Sequence, residues 1–182
     1  MVISLWAGNL LAWEKGLVPE AGNRYRIGPG DVLDISVWKN PDLTRVLTVL
    51  PDGTIRFPLI GELTAAGKHL EALSDELRAR LERYVPEVDL SVIVAQVNSM
   101  VIYVIGRVKN PGRIAMNTPL NVMQALATAG GLNPFAKAKE IKVFRDKMPP
   151  PGYVTFNYEA VSQGKAASQN ILLERGDVIV VP

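Results

Sequence analysis

The residue types able to do covalent or acid/base chemistry are few in these 182 residues and poorly placed for it. There is no Cys, and His69 is the only His. Thiolate catalysis, disulfides and Cys-based metal sites are thereby excluded, and a Ser-His relay would have to rest on His69 alone. That residue stands at a predicted helix start among charged neighbours, the setting of a solvated surface side chain. Asp31, Asp34 and Asp52 are the carboxylates to weigh as an acid/base set, yet such groups work only in a cleft that drives their pKa values apart. Asp31 and Asp52 fall in turn sequences, where an Asp side chain bonds nearby backbone amides. Gly28-Pro29-Gly30 and Gly130-Gly131 resemble phosphate loops only superficially. Pro29 lacks the N–H that such a cradle uses, and Gly130 falls at a predicted helix C-terminus rather than an N-terminus. No catalytic, metal-binding or cofactor-binding residue is expected, and no cofactor.

What remains is weaker binding chemistry. Trp38 and Tyr103 carry aromatic faces that can stack on sugar rings or pack against another subunit, as well as serve as ordinary packing anchors. Alternation places Trp38 at the end of a strand on its polar face, which favours an exposed role. Arg107, Lys109 and Arg113 flank one hairpin and could meet an acidic polymer; the plain alternative is a solvated turn. These five residues are the candidate polymer or subunit contacts.

Bulk composition agrees with a binding or structural protein. The formal net charge is +2, and basic residues are scattered among acidic ones rather than gathered in a stripe, which argues against a dedicated nucleic-acid binder. Hydrophobic residues make up 48% and charged residues 21%, enough apolar material for a true core. Residues 1–13 are apolar but shorter than the ~20 residues of a membrane-spanning helix. The first basic residue, Lys15, follows this run instead of preceding it, the reverse of a secretory signal. Residues 1–23 are read as a degraded, mis-started or extraneous leader, with an interfacial segment as the alternative.

The elements that must position the candidates fall into two groups. In the first, residues 32–38 alternate, with Leu33, Ile35 and Val37 on one face and Asp34 and Ser36 on the other, the period of a half-buried strand. Residues 45–50 and 54–57 read as a hairpin about Pro51-Asp52-Gly53, with Pro58 marking an edge or an end. Leu70, Leu73, Leu77, Leu81 and Tyr84 recur at helical spacing, so an amphipathic helix is predicted over 69–84, with Glu76 and Arg80 paired on its polar face. Residues 90–97, rich in Val and Ile, close this unit.

After Asn98-Ser99 a second group begins. Strands are predicted at 101–108 and 113–116, joined by Lys109-Asn110-Pro111-Gly112. A helix follows, with Thr118 as N-cap, Pro119 at its first position and Gly130 at its C-terminal cap. Further strands are predicted at 140–145, 153–158 and 178–181, the last so apolar that it should be central and buried on both faces. Each group is a few strands with one helix on one side, an α+β plan. The second has the order of a β-grasp. Gly30-Asp31-Val32 and Gly176-Asp177-Val178 form a faint internal echo.

The run Tyr25-Arg26-Ile27-Gly28-Pro29-Gly30-Asp31-Val32-Leu33 closely resembles the opening of the polysaccharide biosynthesis/export domain of Wza-like outer-membrane polysaccharide export proteins. Leu50-Pro51-Asp52-Gly53-Thr54-Ile55 and Pro58-Leu59-Ile60-Gly61 follow in the family's order. Three later stretches resemble the SLBB (soluble ligand-binding β-grasp) domain: Val104-Ile105-Gly106-Arg107-Val108 with Asn110-Pro111-Gly112, then Ala129-Gly130-Gly131-Leu132, then Arg175-Gly176-Asp177-Val178 to the end. The ordered set, more than any single motif, carries the resemblance.

Departures from the family are a missing lipoprotein Cys and, at the first helix start, His69-Leu70 in place of a Thr-Pro cap. Long members add further β-grasp units and a C-terminal amphipathic helix, so the chain reads as a short member with one SLBB domain. The resemblance implies a polysaccharide-export domain at 24–98, a small mixed sheet with one amphipathic helix, and an SLBB domain at 99–182. It implies a non-enzymatic export role in the periplasm, associated with the outer membrane, as a homo-oligomeric ring or adaptor. The implied partners are the polysaccharide, an inner-membrane chain-length regulator or co-polymerase, and a separate outer-membrane barrel. A conduit for a hydrated polymer needs a closed ring and weak repeated contacts rather than covalent chemistry. The rival readings are a soluble ligand- or carbohydrate-binding envelope module and a polysaccharide hydrolase, which would need paired carboxylates in a groove.

Overall fold

Alternation in the sequence becomes burial in the computed structural model, which describes residues 25–146 and 148–182. The apolar stretch 1–13 lies outside the described residues. Strand β1 (Val32–Val37) buries Leu33, Ile35 and Val37 while Asp34 and Ser36 point the other way. It is the middle strand of three, antiparallel to β2 (Arg45–Thr48) on one side and to β5 (Leu90–Gln96) on the other.

The expected hairpin of 45–50 with 54–57 forms differently. β3 (Thr54–Phe57) pairs with β4 (Gly61–Thr64), a strand beyond the Pro58 where the alternation was expected to end. The turn itself is as the residues dictate. Gly53 N–H donates to the Leu50 carbonyl at 2.8 Å, and Asp52 Oδ1 accepts from the Thr54 N–H and hydroxyl at 2.9 and 2.8 Å. The split places Ile55, Phe57 and Leu63 in the same core as Leu33 and Ile35.

Helix α1 (Leu70–Leu81) closes that core with Leu73, Leu77 and Leu81, all fully buried, and carries the expected Glu76–Arg80 pair at 2.6 Å. It ends earlier than its periodicity suggested, and Tyr84 is exposed. The last turn tightens, with Tyr84 N–H donating to the Leu81 carbonyl at 2.8 Å, and Pro86 disfavours helical geometry just before it. His69 is half-buried rather than solvated: it is the N-cap residue, and its Nδ1 lies 2.8 Å from the Tyr25 carbonyl oxygen.

The second core is built on a five-stranded mixed sheet. Its strands are β6 (Val101–Gly106), β7 (Gly112–Ala115), β8 (Ile141–Phe144), β9 (Tyr153–Phe156) and β10 (Val178–Val181), in the order β7-β6-β10-β8-β9. β10 runs parallel to β6 and antiparallel to β8, which makes the last strand central and gives the β-grasp arrangement. Helix α2 (Val122–Thr128) buries Val122, Ala125 and Leu126 with Ile102, Val104, Ile179 and Val143.

The α2 N-cap is Asn121 and not Thr118. Asn121 and Gln124 form a reciprocal capping box, both bonds 2.9 Å. Residues 120–121 are held extended by a bridge between Asn121 and Leu172 and by Leu173 N–H bonding the Leu120 carbonyl at 2.8 Å, so the helix cannot begin earlier. Its end is as expected. Gly130 takes φ 80°, and Gly131 N–H reaches back to the Leu126 carbonyl at 2.9 Å, a Schellman closure. A short helix α3 (Tyr158–Ser162), capped by Asn157, and one 3-10 turn at Ala167–Gln169 had no counterpart in the sequence reading.

The faint Gly-Asp-Val echo is a repeated turn. In Gly28-Pro29-Gly30-Asp31 and in Glu174-Arg175-Gly176-Asp177 the third residue has φ 89°, as a type II turn demands of its third position. In each, the first residue's N–H donates to the Asp carboxylate, at 2.7 and 2.8 Å, and both Asp side chains are fully buried.

Candidate functional site

Strand β10 was expected to be buried on both faces, and only one is covered. Ile179 and Val181 lie under α2, whereas Val178 and Val180 are half-buried on the opposite side of the sheet. Among the described residues α2 packs against this sheet's inner face together with Tyr158 and Val161 of α3, and no layer covers the outer face. An apolar run without a cover is unusual for a sheet interior and makes this face the candidate contact surface.

Register shows what that surface is made of. Paired residues share a face, so Arg113, Tyr103, Val178, Phe144 and Tyr153 form one row across all five strands. At a strand spacing of about 4.8 Å the row is roughly 19 Å long. A second row holds Ile105, Val180, Lys142 and Thr155. Tyr103, Ile105 and Phe144 are 41%, 46% and 38% exposed, which for apolar side chains on one face amounts to a contiguous patch. The Phe144 and Tyr153 rings are 5.3 Å apart and tilted by 48°, and the Lys142 ammonium sits 4.7 Å from the Tyr153 ring centre, a cation–π contact. The charged residues in these rows, Arg113 and Lys142, are both positive.

Of the five sequence candidates, Tyr103 and Arg113 meet here as direct cross-strand neighbours. The Arg113 guanidinium donates to the Asn98 carbonyl at 3.1 Å, so it also ties the face to the segment between the two cores. Arg107 and Lys109 do not join the rows. Gly106, with φ 93°, turns the chain at the end of β6, and the backbone beyond it is held by the loop after α2: Asn133 N–H to the Arg107 carbonyl at 3.0 Å, Lys109 N–H to the Gly131 carbonyl at 3.1 Å. Trp38 lies in the other sheet, just beyond β1, and is 72% exposed. Phe144, Tyr153, Lys142, Ile105, Val178 and Val180 were missed. The signal for them was present: β10 is apolar at every position, while the one helix predicted for this unit can cover only one face of its sheet.

The buried carboxylates are structural. Burial alone would push the Asp31 carboxyl up, but hydrogen bonds from the Tyr25 hydroxyl, the Gly28 and Ser99 amides and the Ser99 hydroxyl outweigh it and hold the group below the ordinary carboxylate value. The Tyr25 phenol is pushed up to about 12, first by burial and then by that same bond to Asp31. Asp177 is clamped by Arg145 Nε and Nη2 at 2.9 and 2.7 Å. Neither carboxylate is open to a substrate. Among the described residues no buried side-chain polar atom lacks a partner, and no three His, Asp or Glu are grouped as a metal would require.

A matched pair of family regions spans this architecture. The model of the polysaccharide biosynthesis/export protein family matches residues 19–95, and that of the SLBB domain matches residues 100–181. The chain belongs to the polysaccharide biosynthesis/export family and carries an SLBB domain. It is 30% identical over 182 aligned residues to the EPS I polysaccharide export outer membrane protein EpsA of Ralstonia nicotianae, covering 86% of this chain and 47% of that protein. It is 26% identical to the capsule polysaccharide export outer membrane protein CtrA of Neisseria meningitidis serogroup A, over 84% of this chain and 43% of the relative. To the polysialic acid transport protein KpsD of Escherichia coli it is 29% identical, over 60% and 20% respectively. The chain thus spans less than half the length of each of these relatives.

Proposed function

We propose that this protein serves the export of a capsular or extracellular polysaccharide as a non-enzymatic, ring-forming adaptor on the periplasmic side of the outer membrane. The observation that carries the reading is the ordered pair of matched regions, export domain then SLBB domain, in a chain whose relatives are named for polysaccharide export. The uncovered face of the second sheet supports it, since a subunit of a larger assembly leaves such a face for its neighbours. The partners in this reading are the polymer, an inner-membrane chain-length regulator and a separate outer-membrane barrel. Among the described residues no helix is long and apolar enough to cross a membrane.

The decisive experiment is deletion in the producing strain. Loss of surface polymer with retention of full-length polymer inside the envelope is expected, restored by the gene on a plasmid. Unchanged surface polymer overturns the reading. Incubating the purified protein with that polymer separates export from hydrolysis: chain length stays constant in the export reading, and shortening abolished by one carboxylate substitution would establish an enzyme instead.

A further inference from the structure

The first sheet has an uncovered face too. On β1 and its neighbours, Val46, Asp34 and Ile93 form a row on the side away from α1, with Val46 63% and Ile93 54% exposed. Trp38 continues the alternation of β1 at the end of the same face. Asp34 is the charged residue of the registered rows on this side; the others, such as Ser36, Ser91 and Thr48, are neutral. The protein therefore presents two uncovered sheet faces, one in each unit, the first mixed, with Val46, Ile93 and Trp38 among polar neighbours, and the second largely apolar; their charges are opposite, a carboxylate on the first and Lys142 and Arg113 on the second.

We infer that these two faces are the two halves of one subunit contact, the outer face of the first sheet in one copy docking on the open face of the second sheet in the next. The inference rests on the ring reading and specifies its interface. Two different faces of one chain make a heterologous contact, which propagates and closes only where the rotation per subunit fits. Opposite charges on the two faces set register and disfavour like-with-like pairing. A second copy suits the second face better than a polymer does. Sugar stacking needs a free, coplanar aromatic platform, but Phe144 and Tyr153 are mutually tilted, Lys142 already occupies a Tyr153 face, and Val178, Val180 and Ile105 supply aliphatic surface.

Charge reversal tests it in the full chain. Asp34→Lys and Lys142→Glu should each reduce oligomer at least tenfold by mass photometry with envelope lipids, with melting curves like the parent's, and Asp34→Lys/Lys142→Glu together should restore it. Because the protein has no Cys, Ile93→Cys and Ile105→Cys can be joined by a short bismaleimide. A mixture of the two should crosslink, and neither alone. Self-crosslinking of Ile105→Cys, or assembly unaffected by both reversals, defeats the inference while leaving the ring reading standing. Failure of the double reversal to restore assembly also counts against it. If the strain's own polysaccharide, and not another copy, shields the Ile105→Cys thiol from labelling, the face is a polymer surface and the inference is wrong. Absence of any oligomer in the unaltered chain defeats both.

Discussion

Ser99 donates to the Asp31 carboxylate twice, from its backbone N–H at 2.8 Å and from its hydroxyl at 2.9 Å, across 68 residues of chain. Asn98 N–H adds a third bond at 2.9 Å, and the Arg175 guanidinium donates to Ser99 Oγ at 3.3 Å. One buried carboxylate thus pins the start of the first core to the segment that opens the second, and Arg175, from the twin turn, braces the pin from the other side.

The pH response follows from that geometry. The folded Asp31 pKa lies below its unfolded value, so the unfolded chain binds the proton more readily and stability rises with pH across this interval. The stabilisation is fully present above the unfolded value of about 4 and is lost as pH falls through the folded one. Asp31→Asn should flatten the acid limb of a stability–pH curve. Asp31→Ala, which leaves buried donors without an acceptor, should cost about 2–4 kcal/mol at neutral pH by urea denaturation.

At Gly28 the first turn packs against Ser99 and the Arg175 side chain of the second. A Cβ there would lie 1.8 Å from Arg175 Nη1, 2.6 Å from Ser99 Cβ and 2.7 Å from Ser99 Oγ. The Arg175 side chain can swing aside, but Ser99 is fixed by its bonds to Asp31. Gly28→Ala should therefore destabilise by about 1–3 kcal/mol. Adding Arg175→Ala should recover only a minor part of the loss in melting temperature; full recovery would show that the crowding comes from Arg175 alone.

Local pattern made the two-unit plan legible because each core is built from short-range signals. The period of β1, the leucine spacing of α1 and the Gly130 cap each state their own geometry. Partner choice was less legible. Nothing in residues 45–57 says that β2 will pair with β1 and β3 with β4, since the turn at Pro51-Asp52-Gly53 fits either outcome. The Asn121 cap depends on Leu172, some fifty residues away, and so escapes any local window. Tyr103 and Arg113 could be singled out by residue type. Their row could not, because it joins β7, β6, β10, β8 and β9 in an order only the folded sheet provides.

Arg145 tests the second buried carboxylate. Its guanidinium makes the two bonds to Asp177, one to Glu174 at 2.6 Å and one to the Leu172 carbonyl at 3.0 Å. Arg145→Ala leaves the fully buried Asp177 charge without its counterion, and removing one partner of such a pair costs about 3–5 kcal/mol. Arg145→Lys should recover part of this, since an ammonium keeps the charge but not the forked geometry. Equal stability of the parent and the Ala variant by chemical denaturation would mean that Asp177 is held by its turn alone.

Adjacent residues of β6 should behave in opposite ways. Ile102 and Val104 are fully buried beneath α2, while Tyr103 and Ile105 point to the uncovered side. Truncating a core residue removes apolar contacts and leaves a cavity, so Ile102→Ala should cost about 2–5 kcal/mol. Tyr103→Ser and Ile105→Ser remove surface the isolated chain already exposes to water, and should each cost less than about 1 kcal/mol. If the open face exists to meet a partner, the ranking reverses in the producing strain. The two surface variants should be present at parental levels yet lower surface polysaccharide severalfold, whereas a mild core variant such as Val104→Ala should lose export only in proportion to protein lost. Protein level by immunoblot and surface polymer by carbohydrate assay, measured on the same cultures, separate the two effects. Parental export by Tyr103→Ser and Ile105→Ser combined would leave the apolar character of this face without a role in export.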